Sequence, residues 1–138
     1  MYKTKNFKIE ELVHPRILNS VGEHIAWRML DKECLMELDI IHAAWGSAIY
    51  INWGANDSRG LRPPNDEDGA FYSVHKQGKA FDLVPANGDV LGLWELVFNL
   101  IQCDKIIRFN TLESLVFTPT WVHVACMNTG EKPLVINP

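Results

Sequence analysis

A chain of 138 residues, 47% of them hydrophobic, is long enough to enclose one proper core and too short for two ordinary domains. The formal charge of −4, with no lysine- or arginine-rich block, excludes general attraction to a phosphate backbone, so nucleic acid is not an expected partner. The opening "MYKTKNFKIEELVHP" turns polar and acidic where a signal peptide needs an apolar stretch, and no later segment offers about eighteen uninterrupted apolar residues, so the expectation is a chain made in a cytoplasm without membrane insertion.

In chain order, residues 7 to 13 predict a short helix stopped by Pro15. From Gly22 to Trp45 apolar residues recur at three- and four-residue steps, with Asp31 placed to cap a second helical segment and Gly46 to end it. "AIYIN" (48 to 52) has strand composition. Residues 54 to 72 are crowded with Gly, Pro, Asn and Asp and read as a long loop, a candidate rim for a binding site. "KAFDLVP" (79 to 85) reads as a strand, and 89 to 103 as an apolar helix capped by Asp89 and packed on a sheet. "KIIRF" (105 to 109), "ESLVF" (113 to 117) and "WVHVAC" (121 to 126) read as strands, the last two joined through "TPT" as a hairpin, and "PLVIN" as an edge strand. Helices gathered early and strands gathered late predict a single α+β domain: N-terminal helices, a mainly antiparallel sheet and one helix packed on it. No feature sets an oligomeric state.

Cys34, Cys103 and Cys126 are widely spaced and odd in number, which fits free thiols rather than a disulfide framework or a cysteine zinc site. His14, His24 and His42 lack a second ligand-type residue at a convincing spacing. His75 and His123 stand at or within the predicted sheet. On one regular strand His75 and Asp82, an odd separation apart, would face opposite sides. Gly78 between them lets the chain turn, so that His75 comes from a loop while Asp82 projects from a strand on the same face as the small Ala80. His123, at the centre of "WVHVAC", is a third possible ligand, and two histidines with one carboxylate would make a catalytic type of zinc site. The plainer alternative is a hydrogen-bonded core histidine beside a solvated turn.

Ser73, His75, Gly78, Ala80 and Asp82 together spell S-x-H-x-x-G-x-A-x-D, which resembles the signature of the D-alanyl-D-alanine metallopeptidases of the M15 type. "RGLR" (59 to 62) resembles that family's SGYR segment and "WVHV" its second histidine strand, while "ELVHP", "IYINW" and "RGLRPP" are similar to segments of small phage- and prophage-encoded members. The similarity spans residues 7 to 126.

The resemblance implies a Zn²⁺-dependent peptidase acting on peptidoglycan stem peptides or cross-links, on a sheet of the hedgehog and lysostaphin type, at the cell wall after lysis or from a phage particle. It implies zinc ligands at His75, Asp82 and His123, and a substrate-holding arginine at Arg62, with Arg59 as the alternative. Ser73 would bond substrate or support a ligand. Apart from the resemblance, aromatic residues in or next to regular elements are more often core, and of the tryptophans only Trp53 and Trp121 are candidates to touch ligand. Family members commonly carry a carboxylate three residues before the second histidine, where this chain has Thr120. Glu113 is the nearest upstream carboxylate, and a tight "TPT" hairpin would set it opposite Cys126, away from the ion. Asp66, Glu67 and Asp68 are further possible bases. Loss of the base would leave a zinc-containing module that binds without cutting.

Overall fold

The computed structural model describes residues 1–65, 74–127 and 133–137. Ser73 and the acidic residues 66 to 68 lie outside the described residues. The fold is α+β, with four α-helices and one five-stranded sheet among the described residues.

Helix α1 (Ile9–Leu12) is a single turn that buries Ile9 and Leu12. Helix α2 (Pro15–Met29) starts earlier than the apolar periodicity suggested. Pro15 both excludes continuation of the first helix and opens the second, because proline at a first helical position forfeits no hydrogen bond. His14 caps it, its Nδ1 accepting from the Arg16 N–H at 3.0 Å. Gly22, at φ 78° and ψ 169°, breaks α2 into two runs, and the periodic segment from Gly22 to Trp45 covers the second of them together with the helix that follows. Helix α3 (Lys32–Trp45) follows with both expected ends: the Asp31 carboxylate accepts from the Cys34 N–H at 3.0 Å, and Gly46 takes the left-handed conformation, φ 72°. Helix α4 (Val90–Gln102) is capped by Asp89, which accepts from the Gly92 N–H at 2.9 Å.

The strands are β1 (Ile49–Tyr50), β2 (Ala80–Pro85), β3 (Thr111–Glu113), β4 (Val122–Ala125) and β5 (Leu134–Ile136), in the order β1-β2-β4-β3-β5. Alternation splits the central strands into two faces. Phe81, Leu83, Leu112, Val122 and Val124 point into the core with Leu93, Val97 and Ile101 of α4 and Leu35, Leu38 and Ile41 of α3. Ala80, Asp82, His123 and Ala125 take the other face.

Several expectations are corrected. The sheet is mixed rather than mainly antiparallel, because β5 runs parallel to β3. Both edges of β4 are taken, by β2 and β3, so the tail adds to the sheet at an outer edge, that of β3. Residues 105 to 109 form no strand, since the Glu37 carboxylate on α3 accepts the N–H groups of Ile107, Arg108 and Phe109 at 2.7, 2.8 and 2.8 Å and curls the segment around itself. Strand β3 begins and ends earlier than "ESLVF" because the chain turns at Ser114, whose carbonyl accepts from the N–H groups of Phe117 (3.0 Å) and Thr118 (3.3 Å). The reversal therefore begins at Ser114 and runs through "TPT" to β4, a wider connection than the tight hairpin expected. Of "AIYIN", Ile49 and Tyr50 alone pair as a strand.

Candidate metal centre and cleft

Asp82 on β2 and His123 on β4 are directly paired across the antiparallel ladder, so their side chains lie side by side on one face. His75 reaches the same point from a turn of 3-10 helix, Val74–Gln77, that precedes β2. Gly78 makes this possible: its φ is +69°, and a Cβ there would sit 2.7 Å from the Met29 carbonyl oxygen. All three residues are buried, at 4%, 6% and 7% relative exposure. The neighbouring Ala80 and Ala125, paired two residues along the ladder on the same face, keep the surroundings of the acid and the imidazole free of bulk.

The "RGLR" strip binds this cluster from the side. The Arg59 carbonyl accepts from the Asp82 N–H at 2.8 Å, and the His75 carbonyl accepts from the Arg62 N–H at 3.3 Å. Between them the Gly60 carbonyl lies 3.2 Å from His75 Nδ1. A proton on Nδ1 donated to that carbonyl leaves the Nε2 lone pair facing the cluster. Gly60 is required where it stands, because the backbone there passes so close to α1 that a Cβ would lie 2.1 Å from the Leu12 carbonyl oxygen.

Three donor atoms converge. His75 Nε2 lies 3.3 Å from His123 Nδ1 and 3.4 Å from Asp82 Oδ1, and His123 Nδ1 lies 2.8 Å from Asp82 Oδ1. A tetrahedral ion with donors at about 2.0–2.1 Å sets those donors about 3.3–3.4 Å apart. Two of the three edges have that length, and the third is that of a hydrogen bond. The buried group of His75, Asp82 and His123 could therefore hold a metal ion. Burial by itself raises the pKa of the Asp82 carboxyl, but hydrogen bonds from His123 and His75, with their charge, outweigh it and hold the group well below the usual carboxylate range. Asp82 is thus an anion at neutral pH. Its second oxygen, Oδ2, lies 3.6 Å from the Arg62 guanidinium, which also donates from Nε to the Ser58 carbonyl at 2.5 Å.

Glu113 is closer than the tight hairpin implied. Thr111 pairs with Ala125 and Leu112 with Val124, and continuing that register by one residue sets Glu113 beside His123 rather than Cys126. Its Oε1 is 3.7 Å from His123 Nε2. That nitrogen is on the opposite edge of the ring from Nδ1, the atom that joins the donor triangle.

Asp82 and Arg62 also line an open cleft of about 320 Å³, together with Asp57, Thr120 and Trp121. Arg62 and Trp121, singled out from the sequence, are thus brought to the cluster; Arg59 lines the cleft too, though its carbonyl serves Asp82. Asp57 is the cleft carboxylate that sequence reasoning missed. It lies in the loop recognised as a rim, but no spacing marks it. His14 Nε2 sits 3.4 Å from its Oδ2, and Ser58 Oγ donates to its Oδ1 at 3.2 Å. A larger groove, about 780 Å³, lies elsewhere along α3 beside Met36, Ile107 and Met127 and contains none of the three donor residues.

Compared with known proteins, the chain matches no family model, no curated protein and no solved structure. Among the described residues, no helix is long and apolar enough to cross a membrane.

Proposed function

We propose that the chain is a zinc-dependent peptidase that hydrolyses stem peptides or cross-links of bacterial peptidoglycan, at the wall after lysis or delivery by a phage particle. The observation that carries the reading is the convergence of His75 Nε2, Asp82 Oδ1 and His123 Nδ1 beside a cleft that Asp82 helps to line. Two imidazoles and one carboxylate form the donor set of a catalytic zinc with an open position. The choice of peptidoglycan as substrate is supported by the S-x-H-x-x-G-x-A-x-D resemblance.

Bound zinc supplies a Lewis acid that polarises a carbonyl and brings the pKa of water down towards about 7. The chain's own residues do the remainder. Arg62 holds Asp82 Oδ2 and so leaves Oδ1 turned to the donor triangle, and its place in the cleft suits a peptide carboxylate or carbonyl. Trp121 gives the cleft an apolar wall. Glu113 acts on His123: ligation through Nδ1 requires the ring proton to be on Nε2, and Glu113 is the carboxylate facing it. That arrangement makes Glu113 a positioning residue rather than the proton acceptor. Asp57, which lines the same cleft and also faces His14, is the carboxylate we assign to take a proton from water.

The test is incubation of zinc-loaded protein with defined peptidoglycan peptides, with and without chelator, and mass spectrometry of the products. Chelator-sensitive cleavage that is lost in His75→Ala and Asp82→Ala supports the peptidase; cleavage that persists in either variant overturns it. Thr120, an exposed hydroxyl on the cleft where related enzymes carry a carboxylate, favours a second reading, a peptidoglycan-binding module that holds zinc and does not cut. Bound zinc with no turnover across a broad peptide set would select that reading.

A further inference from the structure

Trp53 is 59% exposed, yet its ring is not loose: it stacks on Tyr50 with centroids 4.7 Å apart and planes 22° from parallel. Tyr50 is itself fixed in β1, opposite Val84. The backbone is fixed as well. The Trp53 N–H donates to the Asn56 carbonyl at 2.9 Å and the Asn56 N–H returns to the Trp53 carbonyl at 3.0 Å, closing a two-residue turn in which Gly54 takes φ +59°. Ala55 and Asn56 of that turn line the cleft shared with Arg62 and Asp82. One rigid turn therefore carries a solvent-facing indole and part of the cleft wall.

We propose that the Trp53 and Tyr50 stack is a platform for a sugar ring of the peptidoglycan glycan strand, seated while the attached peptide enters the cleft. The glycan assignment rests on the peptidase reading above. The platform is one pre-ordered aromatic face, which matches the apolar C–H face of a pyranose. Among the described residues its neighbours in the turn, Gly54, Ala55 and Asn56, are exposed and small or polar, a surround that suits a sugar better than a large apolar protein partner. A nucleobase could stack equally well, but the chain's net charge of −4 and the adjacent Asp57 disfavour the phosphates it brings. A neutral N-acetylated sugar meets neither objection, and the Asn56 amide is a partner for its hydroxyl or acetamide groups.

The experiment is an NMR titration of the zinc-loaded full chain, and of the same chain with chelator, with a peptide-free hexamer of β-1,4-linked N-acetylglucosamine, observing the tryptophan indole N–H signals. The expected result is a saturable shift of the Trp53 signal that chelator leaves unchanged, binding at least tenfold weaker in Trp53→Ala, and partial retention in Trp53→Phe. No saturable shift at Trp53, or equal binding by Trp53→Ala, overturns the platform and leaves zinc-dependent peptide cleavage untouched. Saccharide binding in a chain that cleaves no peptide would overturn the peptidase reading alone.

Discussion

Replacing Glu113 by Gln separates two roles that a carboxylate beside a metal site can play. The side chain faces His123 Nε2 at 3.7 Å, while the donor triangle uses Nδ1. Outer carboxylates that orient a ligating histidine are typically worth 10–100-fold in metal affinity, about 1.4–2.7 kcal/mol. Because 3.7 Å exceeds the ordinary hydrogen-bond range of about 2.7–3.2 Å, we place the Glu113→Gln effect at the lower end, about tenfold weaker zinc binding. Competition against a fluorescent chelator reads that affinity directly. With zinc at saturation, peptide hydrolysis by the variant should recover to within a few-fold of the unmodified chain. A general base behaves in the opposite way, since its loss lowers kcat by about 10²–10⁴ with the metal fully bound. Unchanged zinc affinity combined with a kcat loss of that size would refute the positioning role and make Glu113 the proton acceptor.

The complementary variant, Asp57→Asn, should lower kcat by about 10²-fold or more at saturating zinc and leave zinc affinity unaltered, as steady-state kinetics and chelator competition together would show. Gly60→Ala places a Cβ 2.1 Å from the Leu12 carbonyl oxygen and moves the carbonyl that orients His75. It should cost about 3 kcal/mol or more by thermal denaturation and weaken zinc binding in whatever fraction folds. Glu37→Ala removes the shared acceptor of three backbone N–H groups, one of them on buried Phe109, and should lower stability by about 3 kcal/mol in urea. For Asp31, burial raises the pKa, but the Arg108 and Cys34 hydrogen bonds prevail and the folded value lies below the ordinary 3.8. The pair therefore stabilises above that pH and is lost as pH falls through the folded value. Asp31→Asn keeps the helix cap, so the difference from the unmodified chain should be about 1 kcal/mol at neutral pH, given the half-exposed arginine, and should close in acid.

What could be read from the sequence was set largely by range. His75, Gly78, Ala80 and Asp82 lie within one short segment, and the need for a turn between histidine and aspartate follows from strand alternation alone. The structure supplies that turn at Gly78, with φ +69°. The ends of α3 were legible for the same reason, since Asp31 and Gly46 act on groups within a turn of themselves. Pro15 was read as a stop and is also a start, a local signal with two meanings of which the composition of 7 to 13 favoured one.

Long-range pairings were hidden because they depend on where the chain reverses. The position of Glu113 follows from the β3 and β4 register, and the connection between them is wider than a tight "TPT" hairpin, starting at Ser114, whose carbonyl takes two N–H groups. A tight reversal at "TPT" would send Glu113 to Cys126; the observed one sends it to His123 and changes it from a remote acid into a residue that can hold an imidazole. "KIIRF" has strand composition throughout, but its N–H groups are claimed by an acid some seventy residues earlier, and composition carries no record of that competition. The same dependence governs the cleft. Asp57 sits in a loop whose importance its Gly, Pro and Asn content announced, yet its sharing a cleft with Thr120 and Trp121 depends on the long-range contact by which the Asp82 N–H donates to the Arg59 carbonyl beside that loop. His75 and Asp82 are thus the local part of the site, and His123, with the groups that would orient, hold and deprotonate around it, is the part that folding assembles.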